Sequence, residues 1–161
     1  EVWWLVTPQN PLKILKPASY NQRINNCKNI TKGFPIKVSE LEKKIKSTYS
    51  YQTINHIQQH YKNIKFFWLM GADNLINFHN WQHWKTIFND ISIVVFKRHG
   101  YNNKALNSKA AKTFSQYKIT NNPIEQIYFS QFPSWAWINN REIKISSTEI
   151  RKQRNLLRSS H

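Results

Sequence analysis

The chain has 161 residues and a formal net charge of +16, with 40% hydrophobic and 14% aromatic residues. That length and apolar content suffice for one buried core, so we expect a single globular domain over 1–161. The sequence has no apolar run of about 18 residues and no basic leader followed by an apolar stretch, which argues against membrane-spanning and secreted proteins. Cys27 is the one cysteine, which argues against disulfides and cysteine-rich zinc sites and favours a cytoplasmic protein.

The basic charge by itself would suggest nucleic-acid binding, because lysine and arginine release counterions from a phosphate backbone. Two observations weaken that interpretation. The lysines are scattered along the chain, and the sequence is rich in asparagine and isoleucine, which A/T-rich codons encode together with lysine. The residues from about 152 onward form a basic tail, which we interpret as a solvated helix face. We therefore expect small anionic substrates rather than nucleic acid as partners.

Short apolar runs alternate with helical stretches along the chain. The apolar runs, which predict strands, lie at 2–6, 66–70, 91–96, 127–129 and 143–145. The stretches that predict helices lie at 17–28, 39–46, 51–62, 81–89 and 105–115. The segments 101–109 and 121–125 have the strongest loop character. This order predicts an α/β fold with a doubly wound parallel sheet.

Polar residues follow the predicted strands at four places, which are 7–13, 71–74, 97–100 and 146–151. In doubly wound sheets, ligands bind outside the carboxyl ends of the strands. We therefore expect these four segments to meet in one crevice, and the last of them has the clearest chemical pattern.

The segment 145–151, with the sequence ISSTEIR, has the pattern of a helix start that binds phosphate. Ser146 and Glu149 have capping-box spacing, which predicts a helix whose first N–H groups are free. Those donors, the positive end of the helix dipole and the hydroxyl of Ser147 or Thr148 would converge on one anion. Arg151 would reach the same face as a two-pronged donor. A polyphosphate fits this description, and an ordinary capped surface helix fits it as well.

Four segments and two tryptophans resemble bacterial nicotinate-nucleotide adenylyltransferases of the nucleotidylyltransferase superfamily in order and spacing. The segments are WWLVTPQNPLK at 3–13, FWLMGADNL at 67–75 with Trp81 and Trp84, FKRHG at 96–100, and ISSTEIR. The last motif marks the wider superfamily, whereas the Gly-Ala-Asp strand end followed by paired tryptophans points to the pyridine-nucleotide member. The resemblance covers most of the chain and implies a Rossmann-like nucleotidyltransferase fold.

The resemblance implies an enzyme that transfers AMP from ATP to nicotinate mononucleotide, giving deamido-NAD and pyrophosphate in NAD biosynthesis. It implies Mg²⁺ with ATP as co-substrate, no membrane partner, and a monomer or homodimer. In this reaction the mononucleotide phosphate attacks the α-phosphorus of ATP in line with the departing pyrophosphate, without a covalent enzyme intermediate. Such chemistry depends on positioning and charge neutralisation rather than on a protein nucleophile.

The resemblance assigns the pyridine end of the mononucleotide to three residues. Trp81 would stack on the pyridine ring; the alternative is a core tryptophan that packs a helix on the sheet, the role we expect for Trp84. The backbone N–H at Gln82 and the region of Ser50 match positions that meet the nicotinate carboxylate in the family. Ser50 stands where threonine is usual and keeps the hydroxyl. Backbone donors can prefer a carboxylate, because a carboxamide offers N–H₂ donors in place of a second acceptor.

Two residues after strands are assigned to the rest of the mononucleotide. Asp73 would accept hydrogen bonds from ligand hydroxyls, or act as the N-cap of a turn at 74–78. Arg98 would face a phosphate, or be an ordinary surface arginine. The family commonly has proline after this arginine, whereas this chain has His99.

The remaining basic family position is Lys13, in the loop after the first strand. Leu12 replaces a frequent histidine beside it, which removes one donor to the phosphates. The residues that the resemblance assigns to the phosphates of ATP are Lys13, Ser146, Ser147, Thr148 and Arg151.

The family opens with a strand and a loop of the form Gly-x-Phe-x-Pro-x-His-x-Gly-His, whose histidines stabilise charge on the attacked α-phosphate. The 161 residues contain no such segment and begin at Glu1, on what would be the second strand. We therefore expect this chain to lack the first βα unit and the catalytic histidine pair. His79 and His83 have i, i+4 spacing, but without a third ligand we predict no metal site.

Three interpretations stay open. The first is an active adenylyltransferase whose missing loop is encoded upstream. The second is a catalytically inactive remnant that binds only the pyridine mononucleotide. The third is a basic nucleic-acid-binding domain, in which aromatic residues beside lysines would stack on bases; most aromatics lie within apolar runs, which favours a core role.

Overall fold

The computed structural model describes residues 1–8 and 18–141. The chain divides into two compact units. The first unit contains the described residues of 1–66 and Asn80–Ile91, and the second contains Phe67–His79 and the described residues of 92–161. The single domain over 1–161 stays a prediction.

Strands and helices alternate through the described residues. The strands are β1 (Val2–Leu5), β2 (Ile36–Ser39), β3 (Phe67–Gly71), β4 (Ser92–Phe96), β5 (Lys118–Ile119) and β6 (Trp135–Ile138). The helices are α1 (Tyr20–Ile30), α2 (Leu41–Lys44), α3 (Ser50–His60), α4 (Ala72–Asn77), α5 (Trp84–Asp90), α6 (Asn102–Leu106), α7 (Lys109–Thr113) and α8 (Pro123–Phe129). Short 3₁₀ helices lie at Phe78–Asn80 and Ser115–Tyr117.

The first unit contains a βαβ arrangement. β1 pairs with β2 in parallel, with Val2 opposite Ile36, and α1 is the connecting helix. α1 begins with a capping box, in which the Ser19 hydroxyl and the Gln22 side chain each accept a backbone N–H from the other residue. A parallel pair needs such a crossover, because a tight turn cannot return the chain in the same direction.

α3 and α5 pack together in the same unit. Their buried apolar residues recur at helical spacing, with Ile54 and Ile57 on α3 and Ile87 and Phe88 on α5. This packing places α3, which begins at Ser50, and α5, which follows Trp81 and Gln82, against one core.

The second unit is built on a four-stranded sheet with the order β3-β4-β6-β5, in which every pairing is parallel. β4 lies inside the sheet, and its residues from Ser92 to Val95 are all buried. That continuous burial is typical of a parallel strand covered on both faces. α4 packs on α6 and α7, and α8 packs on β5 and β6. The predicted parallel α/β class is confirmed.

The predicted strand at 127–129 is wrong, because this segment is the end of α8. Pro123 stands in the first turn of that helix, where its fixed φ favours a helix start. Ile127 is the one buried residue of the helix. The periodicity of a short apolar run does not show whether the run is a strand or a helix. Here Pro123 in the first turn favours the helix.

Other boundaries also differ from prediction. The sequence patterns missed β2, β5 and β6, and the predicted helix at 105–115 is two helices. Ser108 separates them, since its side chain accepts the Ala111 N–H as the N-cap of α7. The predicted loop segments 101–109 and 121–125 contain α6 and the start of α8.

Every helix within residues 1–8 and 18–141 is too short or too polar to cross a lipid bilayer.

Candidate functional site

Asp73 and Arg98 lie together at the carboxyl ends of β3 and β4. The register places Gly71 opposite Phe96, so the residues that follow each strand emerge side by side. Arg98 Nη1 donates to Asp73 Oδ2 at 2.7 Å, and the side chains are 41% and 28% exposed. Two of the four predicted polar segments therefore meet at one edge of the sheet.

The backbone around Gly71 fixes where the Asp73 carboxylate lies. Gly71 is the N-cap of α4, with φ −81°, so any residue could adopt its backbone conformation. A Cβ atom there would lie 2.5 Å from Asp73 Oδ1, so the carboxylate would have to shift to make room for it. Oδ1 is buried and has no hydrogen-bond partner among the described residues. The alternative role of Asp73 as an N-cap is wrong, because Asp73 lies in the first turn and Gly71 is the cap.

The turn after β4 holds the other partner. The Arg98 backbone N–H donates to the Asn102 side chain at 2.9 Å, and the Arg98 guanidinium lies 5.8 Å from the Tyr101 ring centroid. These contacts come from the start of α6 and direct Arg98 toward Asp73. The pair presents a guanidinium with further N–H donors and a carboxylate oxygen with an unused lone pair.

Ser50 is the first residue of α3, in the first unit. The N-cap, Tyr49, makes no side-chain capping bond. The loop before it is held by Ser47, which is 2% exposed. The Ser47 hydroxyl donates to Gln52 Oε1 at 2.7 Å and accepts the Tyr49 N–H at 3.2 Å. A buried hydroxyl thus fixes the start of α3, where the helix presents its positive end.

Trp81 and Gln82 form a turn between the 3₁₀ helix at Phe78–Asn80 and α5. Trp81 is half-buried and Gln82 is exposed. The turn ends at His83, which has a left-handed backbone with φ 54°. The His83 ring lies 4.5 Å from the ring of Tyr51, centroid to centroid. The first unit therefore brings the Trp81–Gln82 turn beside the start of α3.

Sequence reasoning missed the contact between Tyr51 and His83 and considered His83 only as a possible metal ligand beside His79. Their contact joins residues 32 positions apart, and no spacing pattern along the chain connects them. The left-handed conformation of His83 was also not visible in the sequence, because residues other than glycine adopt it only occasionally.

Sequence reasoning also missed a buried carboxylate in the first unit. Glu42, on α2, is 4% exposed and accepts hydrogen bonds from the hydroxyls of Thr7 and Thr53. Burial raises the pKa of the Glu42 carboxyl, and the two hydroxyl donors oppose that rise. Glu42 thereby ties the end of β1 to α3.

Arg23 holds the same strand end from the other side. Its guanidinium donates to the carbonyl oxygens of Thr7, Pro8 and Ala18. Thr7 is therefore held through its hydroxyl by Glu42 and through its carbonyl by Arg23, which fixes the carboxyl end of β1.

The predicted site residues separate into three groups. Ser50, Trp81 and Gln82 belong to the first unit, and Asp73 and Arg98 to the second. The residues predicted to bind the phosphates of ATP lie outside the described residues, and these are Lys13, Ser146, Ser147, Thr148 and Arg151. The predicted strand at 143–145 and the basic tail from about 152 lie outside them too. In the described part of the chain, no three histidine, cysteine or acidic residues cluster as metal ligands.

The sequence model of the cytidylyltransferase-like family matches residues 1–153 of this chain. A probable nicotinate-nucleotide adenylyltransferase of Ruegeria sp. (strain TM1040) is 37% identical, and the match covers 95% of this chain and 81% of that protein. The protein of the same name from Agrobacterium fabrum (strain C58) is 35% identical, with coverage of 94% and 81%.

Two solved structures have a similar fold. They are nicotinic acid mononucleotide adenylyltransferases of Plasmodium falciparum, one in complex with APC and one with NaAD. The first is 18% identical with a TM-score of 0.64, and the match covers 94% of this chain and 67% of that one. The second is 20% identical with the same TM-score and covers 94% and 68%.

Proposed function

Because the chain belongs to the nicotinate-nucleotide adenylyltransferases of the cytidylyltransferase-like family, we propose that it transfers AMP from ATP to nicotinate mononucleotide. The products are deamido-NAD and pyrophosphate, in NAD biosynthesis. The observation that carries the proposal is the meeting of the Trp81–Gln82 turn with the start of α3, through the contact of Tyr51 with His83. In this proposal the Trp81 ring, the Gln82 backbone N–H and the Ser50 hydroxyl contact the same small ligand.

The pyridine end of the mononucleotide binds in the first unit. Trp81 stacks on the ring, an arrangement worth about 0.5–1.5 kcal/mol beyond the buried area. The Gln82 N–H and the Ser50 region donate to the nicotinate carboxylate. The start of α3 suits an anion, since no side chain of its N-cap occupies the helix end.

The resemblance assigns Asp73 to ligand hydroxyls and Arg98 to a phosphate, and we propose these roles for the pair in the second unit. Asp73, whose side chain is 28% exposed, accepts hydrogen bonds from ligand hydroxyls through its carboxylate. Arg98 neutralises phosphate charge with the N–H donors that its bond to Asp73 does not use.

ATP binds with its phosphates on Lys13, Ser146, Ser147, Thr148 and Arg151, which the resemblance assigns to that role. Mg²⁺ enters with ATP as part of the substrate and is bound by the phosphate oxygens. An oxygen of the mononucleotide phosphate forms a bond to the α-phosphorus, and the bond from that phosphorus to the bridging oxygen of pyrophosphate breaks. The attacking oxygen supplies the electron pair of the new bond, and the pair of the broken bond leaves with the bridging oxygen of pyrophosphate. The step therefore needs positioned charge and no protein nucleophile. We place the reaction in the cytoplasm, in agreement with a lone cysteine.

The binding step is tested by titrating the purified chain with nicotinate mononucleotide while following tryptophan fluorescence. We expect saturable quenching, with weaker binding of nicotinamide mononucleotide under the same conditions. The proposal would be overturned if nicotinate mononucleotide caused no quenching and the chain instead bound DNA with an affinity that falls steeply as salt is raised. That result would favour a nucleic-acid-binding domain.

A further inference from the structure

The ring contact between Tyr51 and His83 joins two segments that are distant in sequence. Tyr51 is the second residue of α3, and His83 is the residue before α5. The ring centroids are 4.5 Å apart and the ring planes are inclined at 58°. That distance is at the short end of the range for aromatic pairs. Each residue directly follows a candidate ligand group, Tyr51 after Ser50 and His83 after Gln82.

The turn at 81–83 is held through its backbone as well. The Trp84 N–H donates to the Trp81 carbonyl at 3.2 Å, and the Ile87 N–H donates to the His83 carbonyl at 3.0 Å. These bonds tie the turn into α5. The contact of His83 with Tyr51, by contrast, joins the turn to α3.

The conformation of His83 shows that the turn is specified from outside. Its φ of 54° is in the left-handed region, which residues other than glycine seldom occupy. A disfavoured backbone persists where the surrounding contacts determine it. The packing of the imidazole on Tyr51 is one such contact, and it acts on the residue directly after the Gln82 donor.

The Tyr51 ring is itself fixed on its other sides. Its hydroxyl accepts a hydrogen bond from Gln52 Nε2 at 3.2 Å, and the Tyr49 ring lies 6.2 Å away between centroids. Ser47 holds both Tyr49 and Gln52 from the loop before α3. The ring against which His83 packs is therefore part of the same bonded structure that sets the start of α3.

We propose that Tyr51 and His83 are positioning residues that set the preference of the enzyme for nicotinate over nicotinamide mononucleotide. Their contact fixes the distance between the Gln82 N–H and the start of α3, so that both sets of donors meet one carboxylate. A carboxamide satisfies only one of them, because its N–H₂ group would face the other donor. A turn released from α3 moves aside for the N–H₂ group, and the preference falls. This inference rests on the proposed function.

The test compares kcat/KM for the two mononucleotides in Tyr51→Leu, His83→Gly and Tyr51→Phe. His83→Gly removes the ring and adopts the left-handed backbone without strain. We expect Tyr51→Leu and His83→Gly each to lower the ratio of nicotinate to nicotinamide mononucleotide by about three- to tenfold. KM for nicotinate mononucleotide rises and KM for ATP does not change. Tyr51→Phe keeps the ring and the wild-type ratio.

The matched control is Tyr117→Leu. Tyr117 is exposed and contacts the Phe114 ring, and both residues belong to the second unit. It should leave the ratio unchanged. The double variant Tyr51→Leu/His83→Gly should lose no more than either single variant, because both remove one contact. Additive losses, or an unchanged ratio in folded single variants, would overturn the inference and leave the proposed function intact. A wild-type chain that makes no deamido-NAD would instead refute the proposed function.

Discussion

Arg98 Nη1 lies 2.7 Å from Asp73 Oδ2, although the two residues are 25 positions apart in the chain. The parallel pairing of β3 with β4 accounts for this, since it brings the segments after both strands to one edge of the sheet. The pair is partly exposed, so its contribution to folding is small and its position suits ligand binding. The first prediction separates these two roles.

Asp73→Asn and Arg98→Gln should each raise KM for nicotinate mononucleotide by about tenfold or more, because charge-assisted hydrogen bonds to the ligand are lost. The free energy of unfolding should fall by no more than about 1 kcal/mol, as expected for a partly exposed ion pair. Steady-state kinetics and urea unfolding measure the two effects. Lys104→Gln, an exposed lysine on α6, is the control for a lost charge. An unfolding loss without a change in KM would make the pair purely structural.

Gly71→Ala should reduce activity through Asp73. The added Cβ would lie 2.5 Å from Asp73 Oδ1, so the carboxylate must shift away from its place beside Arg98. Gly33→Ala is the matched comparison. A Cβ atom at Gly33 would have no other atom within 4 Å, but the backbone there has a φ of 82°, which disfavours alanine. We expect Gly33→Ala to cost about 1–2 kcal/mol of stability with normal KM, and Gly71→Ala to raise KM. Equal KM values in the two variants would contradict this account.

Glu42 should make stability depend on pH. Burial raises the pKa of its carboxyl in the folded protein, so the folded state binds this proton more tightly than the unfolded state. The free energy of unfolding therefore falls as pH rises from about 4.3, the ordinary value, through the raised pKa. Glu42→Gln replaces the carboxyl with a neutral amide that does not titrate. Urea unfolding of both proteins from about pH 4 to about pH 8 should show the wild type losing stability relative to the variant. A difference that is constant or grows in favour of the wild type would show that the carboxyl is not buried as described.

Trp81→Ala should weaken nicotinate mononucleotide much more than ATP. The lost stacking corresponds to a rise in Kd of about threefold to about tenfold, beyond the effect of lost area. Trp81→Phe keeps an aromatic face and should recover most of the affinity. Calorimetric titration with each ligand measures the change. Equal losses for the two ligands would mean that Trp81 supports the fold and does not stack on the pyridine.

The sequence predicted the parts of the fold whose signals are local. The strands at 2–6, 66–70 and 91–96 are apolar runs, and the helix predicted at 17–28 corresponds to α1 (Tyr20–Ile30). The strand at 135–138 was missed because its apolar residues follow Pro133 and Ser134, where turn character dominates.

The candidate site was predictable where the resemblance supplied positions, and its supporting contacts were not. Asp73 and Arg98 each follow an apolar strand, so their meeting follows from parallel pairing. The Thr7 to Glu42 and Tyr51 to His83 contacts depend on the packing of helices. No periodicity in the chain encodes which side chains meet across two helices, and these contacts required the structure.

The proposed reaction joins AMP to nicotinate mononucleotide. A direct test expresses the full open reading frame that contains these 161 residues, incubates the purified protein with Mg²⁺-ATP and nicotinate mononucleotide, and measures deamido-NAD and pyrophosphate. We expect the two products in equal amounts, and much slower formation of NAD from nicotinamide mononucleotide. Saturable binding of nicotinate mononucleotide without formation of deamido-NAD would contradict the proposal and identify the chain as an inactive binding protein.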